Sequence, residues 1–271
     1  MIRAVQPAVV AHRGASAHRA EHTVGAYALA IEQGADGLEC DVRLTRDGHL
    51  VCVHDRTVDR TSTGRGAVST LTLAHLSQLD YSRARPALSE HPGDPMRHAG
   101  ATPERGDRGL LTLESLLDLV ADSPRTRLFV ETKHPVRYGG LVEAKLVALL
   151  RRYGMANPRS KEESRVVMMS FSAMAVRRLR RHSATLPTVL LLDQLNPLRW
   201  DGTLPEAADY TGPGIHLLRA DPDYVDRAAA FGHLTYTWTV DDPTDVELCR
   251  RLGVAWVATN SPAGTRELLT R

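Results

Sequence analysis

The feature that most restricts this chain is a recurrence. From Val9 to the last residues, short apolar runs alternate with amphipathic segments of helical period. The runs with strand character are Ala8–His12, Gly37–Thr45, Leu128–Thr132, Val166–Ser170, Thr188–Leu192, Ile215–Leu218, Leu234–Val240 and Ala255–Thr259. Between them lie helical patterns such as Thr23–Gln33, Leu141–Tyr153, Ala173–Arg181 and Pro243–Leu252. A strand followed by a crossover helix leads to a parallel neighbour, so repeated units of this kind predict a parallel α/β sheet. Eight such units predict a closed (β/α)8 TIM barrel rather than an open sheet. No GxGxxG or GxxxxGK[ST] pattern follows any strand, which argues against a nucleotide-binding doubly wound fold.

Two features interrupt the alternation. Asp47-Gly48 separates Gly37–Thr45 from Leu50–Val53 and predicts a β-hairpin after the second strand. With a two-residue turn, Leu44 would face Val51, Val42 would face Val53, and Asp41 would face His54. Residues 56–111 are polar and broken by Gly and Pro, with one helical piece at Leu73–Leu79. This stretch reads as an insertion before the third barrel strand, within a single domain spanning residues 1–271.

In a barrel of this kind, chemistry collects at the C-terminal ends of the strands. His12-Arg13 ends the first strand, Glu39 and Asp41 lie late in the second, and Glu131 and Lys133 end the third. Strand side chains alternate, so Glu39 and Asp41 share a face, as do Glu131 and Lys133. Carboxylates crowded between apolar residues repel one another unless a cation neutralises them. Glu39, Asp41 and Glu131 therefore suggest an all-oxygen site for one divalent cation, Mg²⁺ or Ca²⁺ rather than zinc. His12 and His54 add two groups able to move protons near neutral pH.

The ordered motifs His12-Arg13-Gly14, Glu21-His22-Thr23, Glu39-Cys40-Asp41-Val42, Thr45-Arg46-Asp47-Gly48, Val53-His54-Asp55 and Val130-Glu131-Thr132-Lys133 resemble those of the glycerophosphodiester phosphodiesterases. A weaker likeness continues through Ser170-Phe171, Tyr236–Val240 and Thr259-Asn260-Ser261-Pro262. The resemblance implies a metal-dependent barrel that cleaves glycerophosphodiesters to sn-glycerol 3-phosphate and an alcohol. It assigns acid–base catalysis to His12 and His54, the metal to Glu39, Asp41 and Glu131, and the substrate phosphate to Arg13 and Lys133. Glu21 would support its neighbours, and Trp238 would wall the pocket or fill the core. Which histidine is acid and which is base stays open at this stage.

Three positions depart from the family pattern: Ala20 replaces a common Pro, His22 a common Asn, and Asn260 a usual Asp, with Ala255-Trp256 in place of Asp-Gly before it. His18, His22, His134 and His216 read as loop or supporting structure. A lysophospholipase D or sphingomyelinase D type of lipid phosphodiesterase is the nearest alternative, and a non-catalytic barrel binding phosphate or lipid headgroups is another. The polar 56–111 stretch favours a small, water-soluble substrate. A formal charge of +2 and scattered basic residues give no footprint for nucleic acid. No apolar run approaches the ~18 residues of a membrane span, so stable membrane insertion is not expected. Three cysteines without metal-binding spacing read as buried thiols of a cytoplasmic protein.

Overall fold

The computed structural model describes residues 6–82, 108–194 and 199–271. Eight parallel strands follow one another around a nearly closed barrel: β1 (Ala8–His12), β2 (Gly37–Leu44), β4 (Arg127–Thr132), β5 (Val166–Ser170), β6 (Thr188–Leu192), β7 (Tyr210–Pro213), β8 (Tyr236–Thr237) and β9 (Trp256–Thr259). Strand β1 pairs with both β2 and β9, and bridges Thr211–Thr235 and Gly214–Trp238 join β7 to the β8 segment. Helices cover the outside, among them α1 (Val24–Glu32), α4 (Leu141–Arg152) and α5 (Ala173–His182). The α1 start follows from its cap, since the Thr23 hydroxyl accepts from the Ala26 N–H. None of the described helices is long and apolar enough to cross a membrane.

Alternation along each strand divides the interior into layers. Leu38, Cys40 and Val42 of β2 and Leu128 and Val130 of β4 point outward into the helical layer. The opposite parity points inward and is apolar at the base: Val10, Phe129, Val167, Val189, Tyr210, Tyr236 and Trp256 form one cluster. Phe129 stacks on Tyr236 with centroids 5.4 Å apart and meets Trp256 edge-on at 5.9 Å. Toward the C-terminal ends of the strands the inward parity continues through His12, Glu39 and Glu131, and through Asn260 just past β9. The barrel is thus a packed aromatic plug below and a polar chamber above.

The hairpin register differs from expectation by one residue. Strand β3 (Leu50–Cys52) pairs antiparallel with β2 as Val42–Cys52, Arg43–Val51 and Leu44–Leu50. A two-residue turn would need positive φ at two central residues. Here Gly48 alone takes that burden (φ 84°), so a three-residue loop forms with Gly48 N–H bonded to Thr45 O. Thr45 and Asp47 brace it through a 2.6 Å hydrogen bond, and Asp47 also accepts from the Leu73 N–H. Asp41 consequently faces Val53, whose N–H it accepts, and His54 lies beyond the ladder.

A second correction concerns the sixth unit. The expected strand Ile215–Leu218 is part of a helix, α6 (Ile215–Ala220), and the strand lies just before it at Tyr210–Pro213. A short apolar run does not by itself distinguish a buried strand from a buried helix. Gly212 is required in β7, because a Cβ there would sit 2.7 Å from Leu191 and 2.8 Å from Val189. The expected strand Leu234–Val240 is regular only at Tyr236–Thr237. Of the expected insertion, residues 83–107 lie outside the described residues. Its remainder holds a 3-10 turn at Val68–Thr70 and helix α2 (Leu73–Leu76) packed on Val51, Val53 and Val58.

Phe129→Ala tests the aromatic plug. Removing this fully buried ring leaves a cavity that its neighbours cannot close, and we expect a loss of about 3–5 kcal/mol in urea unfolding. A loss below about 1 kcal/mol would show that the base of the barrel does not depend on that ring.

Candidate active site

The site lies at the C-terminal ends of β1, β2, β4 and β9. Three carboxylates, Glu39, Asp41 and Glu131, bring oxygens within 4.8 Å of one another, and all three side chains are buried. The cross-strand pairing Asp41–Glu131 creates this proximity directly. Two cations interleave with them. Lys133 Nζ lies 3.0 Å from Glu131 and 3.3 Å from Asp41, and Arg13 Nε lies 3.2 Å from Asp41.

The electrostatics record the crowding. Burial and then the charge of Asp41 push the Glu39 carboxyl well above its ordinary range. Burial, reinforced by Asp41 and opposed by Lys133, raises Glu131 to about 7. Burial works the same way on Asp41, but Lys133, Arg13 and the hydrogen bond from His22 outweigh it and hold that carboxyl well below its ordinary range. One firm carboxylate flanked by two reluctant ones, in a dry all-oxygen setting, is an arrangement that a bound divalent cation relieves. The donor set therefore fits such an ion.

The loop after β1 supplies the next layer through unusual backbone. Arg13 (φ 58°) and His22 (φ 57°) both hold left-handed conformations, each costing about 1–3 kcal/mol that the surroundings must offset. The two are joined by His22 N–H to Arg13 O, and the Arg13 N–H donates to Glu39 Oε2 at 3.0 Å. His22 then reaches Asp41 with Nε2 at 2.9 Å, while its Nδ1 meets the Tyr27 hydroxyl. Tyr27 donates to the Glu39 carbonyl. Gly14 (φ 86°) packs so close to α1 that a Cβ would approach the Ala26 backbone to 2.7 Å.

Both histidines have one ring nitrogen anchored. His12 Nδ1 lies 2.9 Å from Asn260 Oδ1. The Asn260 amide is oriented by Asp241, which accepts its Nδ2–H, so Oδ1 faces His12 and Nδ1 must carry the proton. The Ser16 hydroxyl donates to the same oxygen at 2.7 Å. His54 Nδ1 lies 2.7 Å from Asp55 Oδ1. Burial tends to raise the Asp55 carboxyl, but His54 and Arg60 overcome it and keep Asp55 ionised. Burial, Arg13 and Lys133 together pull His54 down to about 3, so its ring is neutral and protonated on Nδ1. The one-residue register shift takes His54 off the ladder, where Arg43 holds its carbonyl with Nε and Nη2 at 2.9 and 2.7 Å.

Every residue singled out from the sequence lies at this end of the barrel. Glu21 is buried 3.5 Å from Arg13 and bonded to Arg60. His12, Arg13, Glu39 and Glu131 share a cleft walled by Phe171, Tyr236 and Trp238. Trp238 is half-buried, packs edge-on against Phe171 and donates its indole N–H to Gly212 O. Asp55 and Asn260 stand in the motifs read from the sequence but were given no role there, whereas Arg60 and the direct contact of His22 with Asp41 were missed.

The glycerophosphoryl diester phosphodiesterase family model matches residues 12–264. The chain is 52% identical over 269 residues to "Probable glycerophosphodiester phosphodiesterase 1" of Mycobacterium tuberculosis, covering 99% of this chain and 94% of the relative. It is 32% identical over 260 residues to the glycerophosphodiester phosphodiesterase of Bacillus subtilis, covering 93% and 83%. An Oleispira antarctica phosphodiesterase, solved with the product sn-glycerol-3-phosphate, shares the fold with a TM-score of 0.79 at 21% identity, covering 98% of each chain. By fold, motif order and whole-length similarity, the chain belongs to the glycerophosphoryl diester phosphodiesterase family and is a phosphoric diester hydrolase.

Proposed function

We propose that the protein cleaves glycerophosphodiesters to sn-glycerol 3-phosphate and an alcohol, with one divalent cation, Mg²⁺ or Ca²⁺, held by Glu39, Asp41 and Glu131. The observation that carries this reading is the convergence of these carboxylates with Arg13, Lys133 and two anchored histidines. When bound, the cation neutralises phosphate charge as it builds toward the transition state. Arg13 and Lys133 hold the phosphate oxygens, Arg13 through a directional fork and Lys133 as a point charge. Glu21 supports Arg13, and Trp238 with Phe171 walls the side of the cleft. Residues 1–271 form one domain in this reading, with 56–111 as an excursion from it, and the three buried free thiols support a cytoplasmic setting.

His54 acts as the general base and His12 as the general acid. His54 starts neutral, and the Asp55 carboxylate behind it stabilises the imidazolium formed when it takes the proton of the attacking oxygen. His12, backed by the neutral amide of Asn260, delivers a proton from Nε2 to the departing alkoxide. Substrates with different leaving groups separate the two roles. With glycerophosphocholine, either His12→Ala or His54→Ala should lower kcat by about 10²–10⁴-fold. With the p-nitrophenyl diester of glycerol 3-phosphate, whose leaving group needs no proton, His12→Ala should retain most activity and His54→Ala should not. The opposite pattern would exchange the assignments, and near-normal turnover by both variants would end the scheme.

Substrate class is tested by glycerol 3-phosphate release from a panel of water-soluble glycerophosphodiesters beside lysophosphatidylcholine, with and without EDTA. We expect the soluble diesters to turn over, EDTA to abolish the reaction, and metal add-back to restore it. Cleavage confined to lysophosphatidylcholine would overturn the reading in favour of a lipid phosphodiesterase.

Cation affinity should depend on pH in a direction set by Glu131. Its carboxyl, raised to about 7, is neutral below that pH and must lose its proton to become a ligand. Calorimetric titration with Mg²⁺ or Ca²⁺ should therefore show tighter binding from pH 6 to pH 8, with proton release near pH 6.5. Glu131→Gln should weaken binding and lessen that dependence, the remainder belonging to Glu39. Affinity unchanged across this range would remove Glu131 from the ligand set.

A further inference from the structure

Beyond these roles, resting on the assignment of His54, we propose that Arg60 is a positioning residue of the catalytic centre, fixing Asp55 behind His54 and Glu21 behind Arg13 with one guanidinium. Arg60 Nε donates to Asp55 Oδ2 at 2.6 Å and Nη2 to Asp55 Oδ1 at 3.1 Å. Nη1 and Nη2 donate to the two Glu21 oxygens at 2.6 and 2.7 Å. Two carboxylates thus fill both edges of one planar cation, leaving it no edge for substrate.

The order of contacts gives this arrangement its consequence. It runs His54, Asp55, Arg60, Glu21, Arg13, with Arg13 against Asp41 at 3.2 Å and the middle three joining it to His54. The Arg60 side chain is only 10% exposed and that of Glu21 only 3%, so the attraction is little screened by water. Arg60 belongs to the segment that leaves the barrel after β3, five residues beyond Asp55, whereas Glu21 lies 39 residues upstream in the loop after β1. A single side chain therefore ties the start of the excursion to the left-handed loop that aims Arg13. Without it, Asp55 and Glu21 would confront each other as like charges, and the imidazole of His54 would lose its fixed orientation. Lys cannot substitute, because its point charge cannot make two forked contacts at once.

The test compares variants on glycerophosphocholine with folding checked by thermal melting. Arg60→Ala should lower kcat on the order of 100-fold, the effect of a misplaced base, while KM changes far less. Arg60→Lys should remain impaired. Low-millimolar methylguanidinium should restore part of the activity of Arg60→Ala and none of that of His54→Ala. In an Asp55→Asn, Glu21→Gln background, adding Arg60→Ala should cost no more than about threefold further, because both contacts that Arg60 positions are already altered. If Arg60→Ala melts early, Arg60→Gln carries the same comparison. A folded variant with kcat within twofold of the parent, losses that multiply with the Asp55→Asn, Glu21→Gln pair, or a failure of rescue would each overturn the inference. If His54→Ala itself were fully active, the assignment beneath it would fail instead.

Discussion

The constraint on which the rest depends is the enclosure of three carboxylates at one end of a barrel whose other end is closed by aromatic rings. Glu39, Asp41 and Glu131 are all buried, and repulsion among them would separate the strands that carry them if nothing intervened. Lys133 and Arg13 hold the cluster together and single out Asp41 as its ionised centre. The resulting imbalance, with Glu39 and Glu131 reluctant to ionise, leaves the cluster short of positive charge. A cluster short of positive charge is one that a divalent cation would relieve, and Lys133 and Arg13 stand beside it. Structure and chemistry answer to the same electrostatic deficit.

Enclosure also explains why backbone strain collects here. Arg13 and His22 accept left-handed conformations that a side chain rarely adopts, and in return both meet Asp41 while the Arg13 amide caps Glu39. The substitution of His22 for a common Asn is accommodated because the imidazole spans from Tyr27 to Asp41. The departure at Asn260 has a comparable outcome. Its amide, oriented by Asp241, selects the His12 tautomer, which a carboxylate would do with a charge instead. His12 and His54 thereby differ in what stands behind them, an amide for one and a carboxylate for the other.

Much of the fold and of the site could be read from the chain. Alternating strand and helix signals predicted the barrel, and period-two alternation put Glu39 with Asp41 and Glu131 with Lys133 on inward faces. The helical pattern read over Thr23–Gln33 matches α1, Val24–Glu32. Errors fell where local signals were degenerate. Ile215–Leu218 is apolar enough for either a strand or a helix, and the packing of Leu191 and Val189 against Gly212 decided it. The Asp-Gly turn was recognised, but its length was set by Thr45, Asp47 and a helix N–H from Leu73, contacts outside the hairpin's own pattern.

The sequence by itself determined which residue types would be gathered and on which face of each strand they would lie, because strand alternation is a local rule. Only the tertiary structure decided their partners. Asn260 comes to His12 from 248 residues away, and Arg60 joins Glu21 across 39. Such pairings depend on barrel closure and on loops folding over its mouth, and no periodicity in the chain encodes either. Tertiary closure also moved His54 off the hairpin ladder, and the Arg43 grip on its carbonyl, not the strand register, holds it there.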